Sequence, residues 1–287
     1  MVGADRGAML DRGRRRSLSF GLQTVLGLRK RGFFIPLRMA EDAARSAVHP
    51  YGALEAVFEA ATPHFEAHLA RISAYADDLE KLKGPPPEPR FDQAWFPRLD
   101  AAALYTAVRD LKPARIVEVG SGHSTRFLAR AVKDGGLNTQ ITAIDPKPRA
   151  DLGGLPITLV RTPLQSAPLD AFHALRAGDL LFVDSSHVLM PGTDLDVILN
   201  RVLPKLPSGI TLGFHDIFLP DPYPDAWPFT AYNEQNALAA ILRAAELLFA
   251  SHYVTTRTAD AVRGAWPSAP ALKDGARESL LLVRLRT

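Results

Sequence analysis

The chain contains no cysteine. That absence excludes disulfides, cysteine-ligated zinc, iron–sulfur clusters and a thiol nucleophile. No apolar run approaches the ~20 residues that a membrane-spanning helix needs. The apolar stretch from Leu18 to Leu28 is broken off by Arg29, Lys30 and Arg31, and no small-residue cleavage site follows a clean hydrophobic segment, so a secretory signal is not expected. The expected location is the cytoplasm. A strong charge of one sign is missing too: 34 Lys and Arg against 31 Asp and Glu leave a net +3. That small excess is uneven, because residues 1–45 hold ten basic and four acidic residues and the remainder holds 24 and 27. A basic arm of this kind suits anionic surfaces. Aromatic residues are not interleaved with its charges as in binders of single-stranded nucleic acid, so no nucleic-acid partner is expected. A peripheral membrane contact through the arm and Phe33-Phe34-Ile35 stays open.

What is present is a chain of 287 residues, 47% of them hydrophobic, enough for one sizeable core and an appendage. Residues 1–16 are polar and Arg-rich, and Ser17–Leu28 reads as a short amphipathic helix. Over Tyr51–Lys83, Leu54, Val57, Phe58, Ala61, Phe65, Leu69, Ile72 and Tyr75 recur at three- and four-residue steps, which predicts one or two helices. Gly84-Pro85-Pro86-Pro87 stops that pattern and marks a boundary. Residues 1–90 are therefore expected to form a basic arm and helical appendage, covering an acceptor pocket, joining copies of the chain into a homo-oligomer, or both. Residues 91–287 form the main domain.

From there strands alternate with helices. Ala114–Val119, Gln140–Ile144, Ile157–Val160, Leu180–Val183, Ile210–Phe214, His252–Thr255 and Ser279–Arg284 read as seven strands, with helices predicted over Ser124–Val132, Leu195–Leu203 and Glu234–Phe249. Strands spaced by helices imply a mostly parallel sheet covered on both faces, an α/β fold. Ligands in such sheets sit beyond the carboxyl ends of the strands. The first strand runs into Glu118-Val119-Gly120-Ser121-Gly122-His123-Ser124-Thr125, whose glycines permit a tight turn and close approach to a ligand. The second ends at Asp145, at a distance suited to a ribose diol. The fourth ends in Asp184-Ser185-Ser186-His187 and the fifth in His215-Asp216. Four core strands thus end in polar groups aimed at one crevice.

These residues resemble a known family. Glu118–Thr125 looks like the first motif of class I S-adenosylmethionine (SAM)-dependent methyltransferases, and Ile144-Asp145-Pro146 looks like the second. The resemblance covers roughly Phe91 to Thr287 and implies a Rossmann-like sheet. By that likeness Gly120, Ser121 and Gly122 pass under the methionine part of the cofactor, and Glu118 anchors its amino group directly or through water. Asp145 binds the ribose hydroxyls, Pro146 lies near the adenine, and Ser124 and Asp184 complete the cofactor set. Ser124 stands where the family has a third glycine. A dinucleotide-binding dehydrogenase fits less well, since the loop reads Gly-x-Gly-x-x-Thr.

Phe182–His187 and Gly213–Ile217 are similar to segments of metal-dependent O-methyltransferases, the macrocin and mycinamicin sugar enzymes and, more distantly, catechol O-methyltransferase. The likeness implies a divalent metal held by Asp184, His215 and Asp216, with His187 as the base. His215 stands where the sugar enzymes carry Glu. That departure weakens the case for magnesium, which prefers oxygen ligands, and admits manganese or iron, or two side-chain ligands, or no metal. The residues also have plain readings: a structural His187, a His215-Asp216 pair that caps the following loop, and an Asn233 that caps a helix rather than meeting an acceptor. Asp194 and Asp196 fall at a helix start, where they suit the helix dipole. Phe218–Tyr232, rich in proline and aromatics, reads as an acceptor-site wall. The function implied is methyl transfer to an oxygen, on a sugar, glycoside or related small molecule. A SAM-binding regulatory module without catalysis is the alternative.

Overall fold

A computed structural model describes residues 15–33, 35–42, 49–224 and 232–286. The chain divides into two compact units, residues 1–49 with 222–231 and residues 50–221 with 232–287. In the first unit, residues 15–25 are helical, overlapping the helix expected over Ser17–Leu28 but starting two residues earlier and ending three earlier. No helix among the described residues is long and apolar enough to cross a membrane.

The second unit is built on a seven-stranded sheet of order β3-β2-β1-β4-β5-β7-β6. Its strands are β1 (Arg115–Val119), β2 (Gln140–Ile144), β3 (Thr158–Val160), β4 (Leu180–Val183), β5 (Thr211–Phe214), β6 (Ala245–Ala250) and β7 (Leu281–Leu285). The first five run parallel, and β7 pairs antiparallel with both β5 and β6. This is the Rossmann-like α/β sheet that the motifs implied. β4 and β5 are buried along their whole length, as their unbroken apolar runs require.

Two elements differ from expectation. The helix predicted over Glu234–Phe249 ends early: Glu234–Ile241 is helical, a short tight turn follows, and Ala245–Ala250 is β6. Conversely, His252–Thr255 lies in the helix Ser251–Arg257, not in a strand. Ala-Glu-Leu-Leu-Phe-Ala has the composition of a helix, but pairing with β7 supplies its hydrogen bonds and overrides that weak preference. The sequence pattern does not show the helix Arg98–Leu111, nor the shorter Asp170–His173 and Ala259–Ala265. Arg98–Leu111 is buried from Leu99 to Val108 and packs against the helices His123–Asp134 and Thr62–Ala74.

The division between the two compact units falls at 49/50. The helices Gly52–Ala60, Thr62–Ala74 and Ala76–Glu80 bury Phe58, Phe65, Leu69, Ile72 and Leu79. Their partner surface is the β6 edge and the following helix: the Phe65 ring lies 6.2 Å from Phe249 and 5.6 Å from Tyr253. Each such side chain contributes about 1.5–3 kcal/mol on burial, so these helices are part of the core rather than an appendage to it.

The chain crosses from one half of the sheet to the other between β1 and β4, which opens a crevice at their carboxyl ends. Strand register decides what lines it. Val119 pairs with Ile144 and with Val183, and Val183 pairs with Phe214. The next residue on each strand is therefore abreast of its neighbours: Asp145, Gly120, Asp184 and His215 form one row.

Candidate active site

At one end of that row the glycine loop and Asp145 are joined. Ser121 donates its backbone N–H to Asp145 Oδ2 at 2.7 Å and its hydroxyl to the same oxygen at 3.0 Å, while Lys147 N–H holds Oδ1 at 2.7 Å. Gly120 has φ +83°, and a Cβ there would lie 1.8 Å from the backbone oxygen of Asp184, so glycine is required on both counts. Gly122 opens the helix His123–Asp134, donating its N–H to Thr125 Oγ1. Pro146 is exposed at the rim. Glu118 is fully buried, and both its oxygens are engaged, by Ser124 Oγ and Thr125 Oγ1 at 2.6 Å each. The hydroxyl of Ser124 therefore faces Glu118 and braces the loop from beneath. Burial pushes the Glu118 carboxyl up to about 8 against the lowering by those hydroxyls, with Asp184 and Asp145 adding to the rise.

The row continues into a ring of two imidazoles and two carboxylates. Asp184 Oδ1 lies 3.4 Å from His187 Nε2 and 3.4 Å from His215 Nδ1. Asp216 closes the ring, with Oδ2 3.5 Å from His187 Nε2 and Oδ1 3.5 Å from His215 Nδ1. Both histidines are buried, whereas the side chains of Asp184 and Asp216 keep 26% and 17% exposure, so the ring is open to solvent on its carboxylate side. His187 and Asp216 have positive φ of 58° and 59°, a strained backbone for non-glycine residues of the kind found at functional sites.

Each histidine is held from behind by a buried carboxylate. His187 Nδ1 donates to Glu234 Oε2 at 2.8 Å, and His215 Nε2 donates to Asp100 Oδ2 at 3.0 Å. Asp100 also accepts from the backbone N–H groups of Ser279 and Leu280 and from the hydroxyl of Ser251. Burial opposes charge on His187, but Asp184, Glu234 and Asp216 outweigh it and raise its pKa to about 10. His215 is likewise held well above its ordinary value by Asp184, Asp216 and Asp100 against its burial. Asp184 is lowered: burial opposes its ionisation, and the two histidines overcome that. Burial, the largest influence on Asp216, raises it.

Asp184, His187, His215 and Asp216 lie in one ring, and Gly120, Ser121 and Asp145 lie beside it with Glu118 and Ser124 beneath the loop. His187, expected as the base, has Nδ1 on Glu234 and turns Nε2 toward Asp184 and Asp216. Among the described residues, the set whose donor atoms all lie within 4.8 Å of one another is Asp184, His187 and Asp216, which includes His187 and leaves out the expected His215. The donor set suits a metal ion that accepts nitrogen as well as oxygen ligands. Asn233 does not cap its helix; its Oδ1 accepts from Leu189 N–H at 2.6 Å. Asp194 accepts from the N–H and hydroxyl of Ser186, and Asp196 from Gly192 N–H, so both brace the loop around His187. The Tyr232 ring lies 4.5 Å from that of His187. Of the expected acceptor wall, residues 225–231 lie outside the described residues.

Residues 117–217 match a family described as a methyltransferase domain. Comparison with the curated proteins gives no match. Among solved structures, the chain is similar to the SAH-bound methyltransferase PaMTH1 of Podospora anserina, at 16% identity over 89% of this chain and 100% of that one, with a TM-score of 0.42. It is similar to the O-methyltransferase TomG of Streptomyces achromogenes, in complex with SAM, at 15% identity over 77% and 90% of the two chains, TM-score 0.37. The branched-chain polyamine synthase of Thermus thermophilus is similar at 16% identity over 75% and 64%, TM-score 0.41. Likenesses this distant carry no argument about substrate or chemistry. The sheet and its crevice define a Rossmann-like α/β fold, within which residues 117–217 are similar to a methyltransferase domain.

Proposed function

We propose that the protein transfers the methyl group of S-adenosylmethionine to a hydroxyl of a small molecule, of the sugar, glycoside or related class. The observation that carries this reading is the row Asp145–Gly120–Asp184–His215: one end offers a glycine turn bonded to a carboxylate, and the other offers a polar ring open on its carboxylate side. In this reading Asp145 exchanges its contacts with Ser121 for the ribose hydroxyls, which present donors to the same oxygens. Gly120, Ser121 and Gly122 lie under the methionine portion, Pro146 borders the adenine, and Asp184 separates cofactor from acceptor. Glu118 and Ser124 keep the loop in shape.

The reaction is an in-line displacement. A lone pair of the acceptor oxygen forms the C–O bond while the C–S bond breaks, and sulfur keeps that pair and becomes a neutral thioether. The hydroxyl proton passes to the carboxylate of Asp216, which burial raises, while Asp184, lowered by the histidines, stays ionised. Alignment accounts for much of the rate, because the sulfonium is already activated. A divalent metal bound by Asp184, His215 and Asp216 would lower the pKa of the hydroxyl. Incubation with methyl-labelled SAM and a panel of hydroxylated acceptors is the test. Label on an acceptor oxygen supports the reading. Cofactor binding with no transfer to any hydroxyl favours the non-catalytic module.

A further inference from the structure

The helix of residues 15–25 in the first unit turns its leucines outward. Leu18, Leu22, Val25 and Leu26, the last in the turn that follows, recur at steps of four, three and one, which puts them on one helical face. They are 65%, 52%, 61% and 65% exposed. The opposite side is the one tied down. The Phe20 ring lies beneath the guanidinium groups of Arg16 and Arg31, 5.1 and 5.3 Å from its centroid. Thr24 Oγ1 accepts the N–H of Arg31 at 3.0 Å, and the backbone oxygen of Gln23 accepts those of Leu28 and Arg29. The chain leaving the helix is thus folded against the half-buried Phe20, Gln23 and Thr24, and the apolar face stays open among the described residues. A helix that packs on its own protein does the reverse.

We infer that this helix docks on an anionic lipid bilayer, lying in the plane of the surface with Leu18, Leu22, Val25 and Leu26 at the acyl boundary and the basic residues at its two ends among the headgroups. Charge decides the occupant. Residues 12–40 hold eight Arg and Lys and no Asp or Glu, with Arg15 and Arg16 at the start of the helix and Arg29, Lys30 and Arg31 just beyond its end. An apolar helical face flanked by cations is the pattern of an interfacial helix: the apolar side enters the headgroup boundary, and each nearby Lys or Arg adds attraction to anionic lipid. Long basic side chains reach the phosphates while their stems lie along the apolar boundary. A second copy of the chain fits worse, because pairing two such faces brings together two clusters of eight cations with no acid between them. None of these residues belongs to the candidate active site, so the inference stands apart from the methyl-transfer reading.

The test floats the full chain with vesicles of phosphatidylcholine alone and of phosphatidylcholine mixed with phosphatidylglycerol, at low and at high salt. The expected result is binding to the mixed vesicles at least about tenfold tighter than to phosphatidylcholine alone, weakening as salt is raised. Leu22→Glu, and Arg29→Gln combined with Lys30→Gln, are each expected to weaken it about 10–100-fold. Leu22, Arg29 and Lys30 are exposed, and an unchanged Tm verifies that the variants are folded. Equal binding to both kinds of vesicle, or binding that survives Leu22→Glu, would overturn the inference. No binding to either kind overturns it as well, and a concentration-dependent dimer that Leu22→Glu dissolves would then assign the face to a second copy.

Discussion

A Cβ on Gly120 would sit 1.8 Å from the backbone oxygen of Asp184, so the glycine loop after the first strand and the polar ring after the fourth are in direct backbone contact. The two halves of the proposed site are therefore a single structure, and a change at either is felt at the other.

Gly120→Ala tests that contact. The added methyl meets backbone rather than a movable side chain, and φ of +83° disfavours any side chain. The expected outcome is a loss of about 2–5 kcal/mol in stability, read from urea unfolding, with cofactor affinity abolished in whatever folds. An Ala variant with native stability and affinity would show that the loop has room the structure does not give it.

Glu118 makes stability depend on pH. Its folded pKa of about 8 lies above the ordinary 4.5 of an unfolded glutamate, so between those limits the folded state holds a proton that the unfolded chain has released. The contribution is fully present below pH 4.5 and is lost as pH rises through about 8. Glu118→Gln keeps the shape and removes the titration. It is expected to gain on the wild type in thermal stability as pH is raised from 5 to 8, and a difference that does not change with pH would contradict the assignment.

Asp100 predicts a cost of removal. Asp100→Ala leaves two backbone N–H groups, the Ser251 hydroxyl and His215 without their acceptor in a fully buried place. Denaturant unfolding is expected to show a loss of about 3–5 kcal/mol. A change under 1 kcal/mol would mean that water reaches these groups.

How much of this was legible follows residue by residue. Glu118 to Gly122, Asp145, Asp184 and His215 could be placed because each follows a short, apolar, β-branched run, and the carboxyl edge of a parallel sheet collects whatever follows its strands. β6 could not, because Ala245–Ala250 has the composition of a helix and becomes a strand only through β7. Asp100 left no local sign: it is one acidic residue near the start of an alanine-rich helix, 115 positions from the histidine it holds. Glu234 was visible as a helix opener, but that it turns inward to His187 depends on tertiary packing. The stripe at Leu54–Tyr75 announced that it needed a partner, and only the fold shows that the partner is the sheet's own edge.

Metal removal has a reading that needs no acceptor. Manganese or zinc returned to stripped protein at a hundredfold excess over its dissociation constant is expected to add about 2.7 kcal/mol of stability, seen as a rise in Tm. The same Tm with and without ions would leave Asp184, His187, His215 and Asp216 as hydrogen-bonding residues only.

The central claim is that the glycine turn and Asp145 together grip one adenosyl nucleoside. Calorimetric titration of S-adenosylhomocysteine into the full chain and into Asp145→Ala measures it most directly. The account predicts saturable one-to-one binding in the wild type and a loss of at least about 1–3 kcal/mol of binding energy in the variant. No heat at millimolar ligand with the wild type, or equal affinity in both proteins, would contradict it.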